Sequence, residues 1–345
     1  MNEIILYGAA LVLYIAAMLF IGFKAYKATT SLEDFYIGGR RIGVWVIAFA
    51  YASTWNSAVT YVGFPGSAYN SGMSIVASGI LSAIFAGFVG WLLMAKRLRI
   101  QSTKLKSLTI PDYLESRYQR FPVRILSTIA ILIFSGIYLV AQYAAVAYIL
   151  QVYFGTSYLV SVIIMAVTIG IYTSVGGYLA VVWTDLIQGI IMTLVAVLIP
   201  IFMLVTLGGW NEINVTVAEG VGTAYNEIPG IIGPLAFSYM AFYTLGSLGS
   251  PQLSTKFFSI KDKKVWKYGL LLITAVLALQ TPMMAFSGIA TRAGVLKGLI
   301  SGDLIAQNAD YTMPTLMTGF APKIISILYL VGVFGAAMST ADSLL

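Results

Sequence analysis

The 345-residue sequence contains no cysteine and no histidine, and only 10% of its residues are charged. The lack of cysteine excludes disulfides, thiol catalysis and thiolate metal sites. The lack of histidine removes the commonest general base and the commonest protein ligand of transition metals and haem. We therefore expect a protein that is not an enzyme and that holds no organic cofactor.

Hydrophobic residues make up 59% of the chain, whereas soluble domains are about a quarter charged. Long stretches are apolar on every face, as segments that cross a bilayer are. The sequence therefore predicts an all-α integral membrane protein with about nine transmembrane helices, near residues 4–23, 44–68, 74–95, 123–152, 157–175, 181–207, 229–254, 265–290 and 322–345.

The basic residues predict the orientation of these spans. If the N-terminus lies outside, all of the 20 Lys and Arg residues except Arg292, Lys297 and Lys323 fall in inner loops. Positive charge collects on the cytoplasmic side of membrane proteins. We therefore attribute the net charge of +7 to the basic inner loops of a protein in the cell membrane and not to a nucleic-acid partner. In the inner segment 102–120, Pro111 is placed to open a short surface helix, although a solvated loop is equally consistent.

Two predicted spans carry signals that interrupt helices. The second combines a polar patch around Asn56 with Gly63, Pro65 and Gly66, and the seventh contains Gly246, Gly249 and Pro251. Because backbone groups inside a membrane must be paired, broken helices are tolerated where they face protein or a water-filled cavity. Broken helices in corresponding halves indicate the binding site of a secondary transporter, and close helix packing is the alternative interpretation.

The ninth span ends in GAAMSTADSLL, which places Ala336, Ser339, Thr340 and Ser343 on one helix face. Hydroxyl and carbonyl oxygens in such a row suit an alkali cation. The same small residues and hydroxyls also join helices to one another.

Two carboxylates, Asp185 and Asp342, lie within predicted spans, where a charge costs about 2.5–3.5 kcal/mol. Every basic residue, Lys256 included, is assigned to a loop or to the first three residues of a span, so we expect no ion pair for either. Protonation, water, hydroxyl groups or a bound cation remain as partners. Contact of Asp185 with interfacial water is a further alternative.

Six strings occur in order along the chain: DFYIGGRRIG, SGMS after GFPGSAY, TIPDYLESRY, GGYLAVVWTDLIQ, GSPQLSTKF and AAMSTADSLL. In these strings the sequence resembles the sodium:solute symporter family. The resemblance implies a single transmembrane domain, residues 1–345, with a LeuT-type five-plus-five inverted repeat. Residues 4–23 would form its extra N-terminal helix, 44–207 the first repeat and 229–345 a partial second repeat. The repeat would be incomplete at its C-terminal end, which makes a complementary C-terminal polypeptide a candidate partner.

The resemblance also implies site residues. A sodium ion would be held by the carbonyls of Ser53, Asn56 and Ala336 and the hydroxyls of Ser339 and Thr340. A second cation or proton site would include Asp185, Asp342 and Ser343. The substrate would lie at mid-membrane, near Ser57, Tyr138, Gln142 and Tyr243.

The function that follows is sodium-coupled symport of a small organic solute, such as the amino acid proline or a monocarboxylate, by alternating access across the bilayer. Sodium is then the coupling ion. Two alternatives stay open. One is proton-coupled symport through Asp185 or Asp342, and the other is a non-transporting membrane sensor or fragment.

Overall fold

The computed structural model describes the backbone of residues 2–345, and every side chain in that range except those of residues 2, 171–176, 236, 237, 239, 240, 243, 244 and 247. This part of the chain is almost entirely helical, and its only strand-like pairing is an isolated parallel β-bridge between Ile42 and Ile260. The all-α class expected from the sequence is therefore confirmed.

The α-helices follow the chain in this order: α1 Asn2–Ala28, α2 Leu32–Ile37, α3 Val44–Trp55, α4 Ala58–Ser71, α5 Met73–Ile84, α6 Lys96–Lys104, α7 Ile110–Tyr118, α8 Phe121–Phe154, α9 Tyr158–Thr206, α10 Gly209–Gly220, α11 Leu235–Gly249, α12 Pro251–Phe258, α13 Lys263–Leu296, α14 Asp303–Gln307, α15 Thr312–Gly319 and α16 Lys323–Leu344. Two π-helical segments, Phe85–Val89 and Trp91–Ala95, join α5 to α6. Within α9 the backbone leaves helical geometry at Gly177, where φ is 59°.

Within the described residues, six helical segments are long and apolar enough to cross a membrane. They are Glu3–Ala28, Met73–Lys104, Phe121–Phe154, Gly177–Thr206, Lys263–Leu296 and Lys323–Leu344. Each contains or closely overlaps one of the spans predicted from apolar runs. The shorter apolar helices Val44–Trp55 and Tyr158–Gly170 coincide with parts of two more.

The long helices differ in how deeply they lie in the bundle. In α16, 72% of the most apolar 18-residue stretch is buried inside the protein, whereas none of the corresponding stretch of α8 is. A surface helix that is apolar on its outer face is suited to lipid, while a buried one is available for a site in the interior. The polar residues of α16 are therefore held among other helices.

Both interruptions expected from the sequence are present. Helix α3 ends at Trp55 and α4 starts at Ala58, with Asn56 and Ser57 in non-helical conformations between them (ψ of 75° and 177°). Helix α11 ends at Gly249 and α12 starts at Pro251. Proline suits the first turn of a helix because its missing N–H would be unpaired there anyway.

The first break lies at Asn56 and not at Pro65, which sits inside α4. A proline in a helix leaves the carbonyl four residues earlier without its donor. Here that carbonyl belongs to Tyr61, and the hydroxyl of Tyr329 donates to it over 3.1 Å. Helix α4 therefore continues through Pro65 because α16 replaces the lost hydrogen bond.

Three loops predicted to lie on the inner side meet at one end of the bundle. Arg40 donates to the hydroxyl of Ser102 (2.8 Å) and to the carbonyl of Ser107 (2.9 Å). The bridge between Ile42 and Ile260 joins the start of α3 to the end of α12. We call these contacts the inner clasp.

The polar segment after α6 forms the short helix α7, as one of the two interpretations of residues 102–120 predicted. Thr109 caps it by accepting from the backbone of Asp112, whose side chain accepts from Thr109 in return. This reciprocal pairing is a capping box, which satisfies amide groups that a helix start leaves unpaired.

Candidate functional site

The unpaired end of α3 is bonded to α16. A helix leaves its last carbonyls without intrahelical partners. The hydroxyl of Ser339 donates to the carbonyl of Ser53 (3.0 Å) and to that of Ala336 (3.1 Å). The hydroxyl of Thr340 donates to the carbonyl of Thr54 (3.3 Å). The structure thus brings together four of the five residues predicted to hold sodium, all of them buried.

The oxygens in this cluster fit an alkali cation. They are neutral carbonyl and hydroxyl oxygens at the end of an interrupted helix, the kind of group that coordinates sodium in transporters built from broken helices. The hydroxyls of Ser339 and Thr340 already point at the carbonyls of α3. Rotating these hydroxyl hydrogens away would turn the same oxygens into ligands.

Asn56, the fifth predicted sodium ligand, lies at the break with its side chain turned toward α13. Its amide nitrogen donates to Gln280 (2.7 Å), and its amide oxygen accepts from Thr281 (2.9 Å). Gln280 in turn donates to Thr193 on α9 (2.7 Å). Asn56 therefore anchors the break to two other helices.

Sequence reasoning noted Thr54 in the polar patch of the second span but gave it no role in a site, and it did not name Gln280 or Thr281. Thr54 contacts α16 through its hydroxyl, which lies 3.1 Å from that of Ser343. The available signal for Gln280 and Thr281 was their polarity inside the apolar span predicted at 265–290. Polar side chains at membrane depth face the bundle interior, and here they do.

A cavity of about 810 Å³ lies between the two breaks. One wall contains Trp55, Asn56 and Ser57 at the first break, and another contains Gly249 and Ser250 at the second. The structure therefore has a cavity between the broken helices, where the sequence analysis expects the substrate.

Of the predicted substrate residues, Ser57 and Tyr138 line this cavity. Gln142 is fully buried beside it, and its side-chain oxygen accepts from the backbone N–H of Ala58 (3.2 Å). Its amide nitrogen has no hydrogen-bond partner among the described residues. The side chain of Tyr243 lies outside the residues that the structure describes.

Asp185 forms an ion pair, and the expectation that no basic side chain reaches it is wrong. The ammonium of Lys256 lies 2.7 Å from Oδ2 of Asp185, and both side chains are fully buried. The same ammonium donates to the hydroxyl of Ser343 (3.2 Å). This contact also corrects the assignment of Lys256 to an inner loop.

The physical reason is the length of the lysine side chain and the position of α12. Lys256 lies two residues beyond the span predicted at 229–254, but α12 continues to Phe258 as a packed helix. A lysine stem extends over several ångströms, so its charge can lie well away from its backbone position. Near this ion pair, Asp342 is buried and its Oδ1 lies 3.4 Å from the hydroxyl of Ser343.

Comparisons with known proteins agree on one family. The family model for the sodium:solute symporter family matches residues 35–345. The sodium/pantothenate symporter of Haemophilus influenzae is 30% identical over 96% of this chain and 68% of its own length. The sodium/proline symporter of Salmonella typhimurium is 32% identical over 71% of this chain and 49% of its own length. The chain thus spans about half to two thirds of the length of these relatives.

The fold is also similar to that of a solved protein, a Na⁺-coupled sialic acid symporter in its substrate-bound outward-open state. The TM-score is 0.81 at 24% identity, over 98% of this chain and 71% of that protein. The fold of the chain therefore agrees with the family that the sequence comparisons indicate. The broken helices, the oxygen cluster and the cavity agree with this assignment. The chain belongs to the sodium:solute symporter family and is a multi-pass membrane protein, and the matched relatives are transporters and not enzymes.

Proposed function

We propose that the protein carries out sodium-coupled symport of a small organic solute by alternating access. The observation that supports this most directly is the contact between α3 and α16, where the hydroxyl of Ser339 bonds to the carbonyl of Ser53. A cation bound there would hold the two helices together. Its release would let them separate, so that ion binding and helix movement are coupled.

The proposed architecture has nine spans. Helix α1 is an extra N-terminal helix, and the broken helices α3–α4 and α11–α12 open the two halves of a LeuT-type inverted repeat. The positions of the two breaks support this assignment, as does the similar fold of the sialic acid symporter. The second half here includes only α11 to α16.

We propose that the N-terminus lies outside and that the membrane is the cell membrane. The inner clasp supports this orientation, since it gathers three segments rich in Lys and Arg at one end of the bundle. The opposite set of predicted loops carries the ion pairs of Glu3 with Lys323 (2.8 Å) and of Glu212 with Lys297 (2.9 Å).

The sodium ligands are proposed to be the carbonyls of Ser53, Asn56 and Ala336 and the hydroxyls of Ser339 and Thr340. One charge that moves down a membrane potential of 100 mV contributes about 2.3 kcal/mol. A tenfold sodium gradient adds about 1.4 kcal/mol. Sodium entry at this site would therefore drive solute accumulation.

The proposed solute is a small molecule with a carboxylate group. Proline, pantothenate and sialic acid, which name the matched relatives, all have one. The described residues that line the cavity include no Lys or Arg. A carboxylate would instead meet neutral donors, namely the hydroxyls of Ser57 and Tyr138 and the N-terminal end of α4. Gln142, which is buried beside the cavity, and Tyr243 complete the proposed substrate set.

The relatives are longer than this chain, and a complementary C-terminal polypeptide is therefore part of the proposal. Such a polypeptide would supply the part of the relatives' length that this chain does not match. It would close the open side of the cavity between the breaks.

Transport assays in proteoliposomes test the function. Labelled proline, pantothenate and sialic acid are offered with an inward gradient of sodium, potassium or choline at two pH values. We expect uptake only with sodium and at both pH values. Uptake that follows the proton gradient and ignores sodium would contradict the proposal and favour proton-coupled symport.

A binding assay separates transport from recognition. Solute that binds to the purified protein in a sodium-dependent way but is not taken up by vesicles would favour a non-transporting sensor. The uptake assay, repeated with the complementary C-terminal segment of a relative present, tests whether the added segment increases uptake.

A further inference from the structure

The buried pair of Lys256 and Asp185 has no role in the sodium site described above. We propose that the ammonium of Lys256 fills the second cation position beside Asp185, so that the chain binds one sodium ion and not two. This inference rests on the proposed function, because it concerns how many ions accompany the solute.

The ammonium occupies the place that a second cation would take. Of the three residues assigned to that site, two bind Lys256 directly: Oδ2 of Asp185 at 2.7 Å and the hydroxyl of Ser343 at 3.2 Å. The third, Asp342, contacts the hydroxyl of Ser343. An ammonium donates hydrogen bonds to the same oxygens that would coordinate sodium.

Burial favours this position of the ammonium. Neither charged side chain of the pair has any exposed surface. A buried charge without a partner is strongly unfavourable, so each group holds the other in place. A sodium ion would have to displace the ammonium into a low-dielectric interior, which is an unfavourable exchange.

The position also contains unused coordinating capacity. Oδ1 of Asp185 is buried and has no hydrogen-bond partner among the described residues. If the ammonium were removed, a carboxylate with two free oxygens would face the hydroxyl of Ser343. These oxygens could coordinate a small cation, and in this structure the ammonium of Lys256 occupies their position.

A short chain of contacts links this position to the first sodium site. The hydroxyl of Ser343 lies 3.1 Å from that of Thr54, and the carbonyl of Thr54 accepts from Thr340. Lys256 on α12 is thereby connected to the end of α3 through α16.

The test is the number of ²²Na⁺ ions bound per purified chain at saturation. We expect one for the wild-type protein and two for Lys256→Met, which keeps the apolar stem and removes the charge. Two ions on the wild type would overturn the inference but leave sodium coupling intact. No bound sodium on the wild type would instead contradict the proposed function itself.

A double variant locates the second ion. Lys256→Met combined with Asp185→Asn removes both charges, and we expect it to bind one sodium again. A second ion that persists in the double variant, or that never appears in Lys256→Met that elutes as a monodisperse peak, would overturn the inference. If Lys256→Met does not fold, the wild-type count still decides the question.

Discussion

The hydroxyl of Ser339 and the backbone carbonyl of Ser53 lie 3.0 Å apart, although 286 positions of sequence separate them. This contact joins the interrupted end of α3 to the middle of the most deeply buried stretch of α16. The oxygens that pair the end of α3 with α16 are also the proposed sodium ligands.

Thr340→Ala should weaken sodium binding. Its hydroxyl donates to the carbonyl of Thr54 and is a proposed ligand, and the loss of one such interaction corresponds to about 1–1.5 kcal/mol. We therefore expect the sodium concentration for half-saturation to rise about tenfold. The measurement is a sodium titration of solute binding.

Thr291→Ala is the matched control for this change. Thr291 is equally buried, but its hydroxyl bonds to Ser287 within its own helix (2.7 Å). We expect its sodium affinity to equal that of the wild type. Equal shifts in both variants would show that the effect is general loss of packing and would rule out Thr340 as a ligand.

Lys256→Met should destabilise the fold by about 3–5 kcal/mol, because Asp185 would remain buried without a counter-charge. The double variant with Asp185→Asn should regain most of this loss. Thermal unfolding in detergent, followed by tryptophan fluorescence, measures both. High sodium should raise the melting temperature of Lys256→Met more than that of the wild type, and potassium should not.

Arg40→Ala should destabilise the inner end of the bundle by about 2–3 kcal/mol. Its side chain is only 9% exposed, and its loss would leave the carbonyl of Ser107 without its charged donor. Arg41→Ala is the neighbouring control. Arg41 is 57% exposed and pairs with Asp34, so we expect a change of at most about 1 kcal/mol. Similar melting temperatures for the two variants would refute the clasp as a stabilising contact.

Gly288→Ala should disrupt the packing of α13 on α4. A Cβ at this position would overlap the backbone carbonyl of Pro65, which cannot rotate away as a side chain could. Overpacking of this kind costs about 1–3 kcal/mol. Gly136→Ala on the exposed face of α8 meets no atom within 4 Å and should stabilise the helix by about 0.5–1 kcal/mol. Limited proteolysis of both variants would show the contrast.

Many of the membrane-spanning helices could be predicted from the sequence, because the length of an apolar stretch can be read without knowing its tertiary contacts. Six long helices coincide with predicted spans. Both breaks were also signalled, and the first lies at Asn56, within the polar patch. The continuation of α4 through Pro65 could not be read locally, since the hydroxyl that compensates Pro65 comes from Tyr329 on α16.

The position of the candidate site was accessible from the sequence where the proposed ligands are backbone groups or short side chains. Ser339 and Thr340 lie where their helix face predicted, opposite the end of α3. Lys256 was missed because a flexible side chain carries its charge away from the position that its sequence number indicates. The partners of Asn56 were missed because Gln280 lies 224 positions away on another helix.

The inner clasp joins the two broken helices at the ends that lie away from their breaks. The bridge between Ile42 and Ile260 ties the start of α3 to the end of α12, so any rocking motion that carries one carries the other. In the proposed mechanism we expect the bending to occur at Asn56 and at Ser250, where each helix is interrupted. Because the chain contains no cysteine, a thiol pair introduced at positions 42 and 260 would be the only cross-link formed within it, and such a locked protein should still turn over.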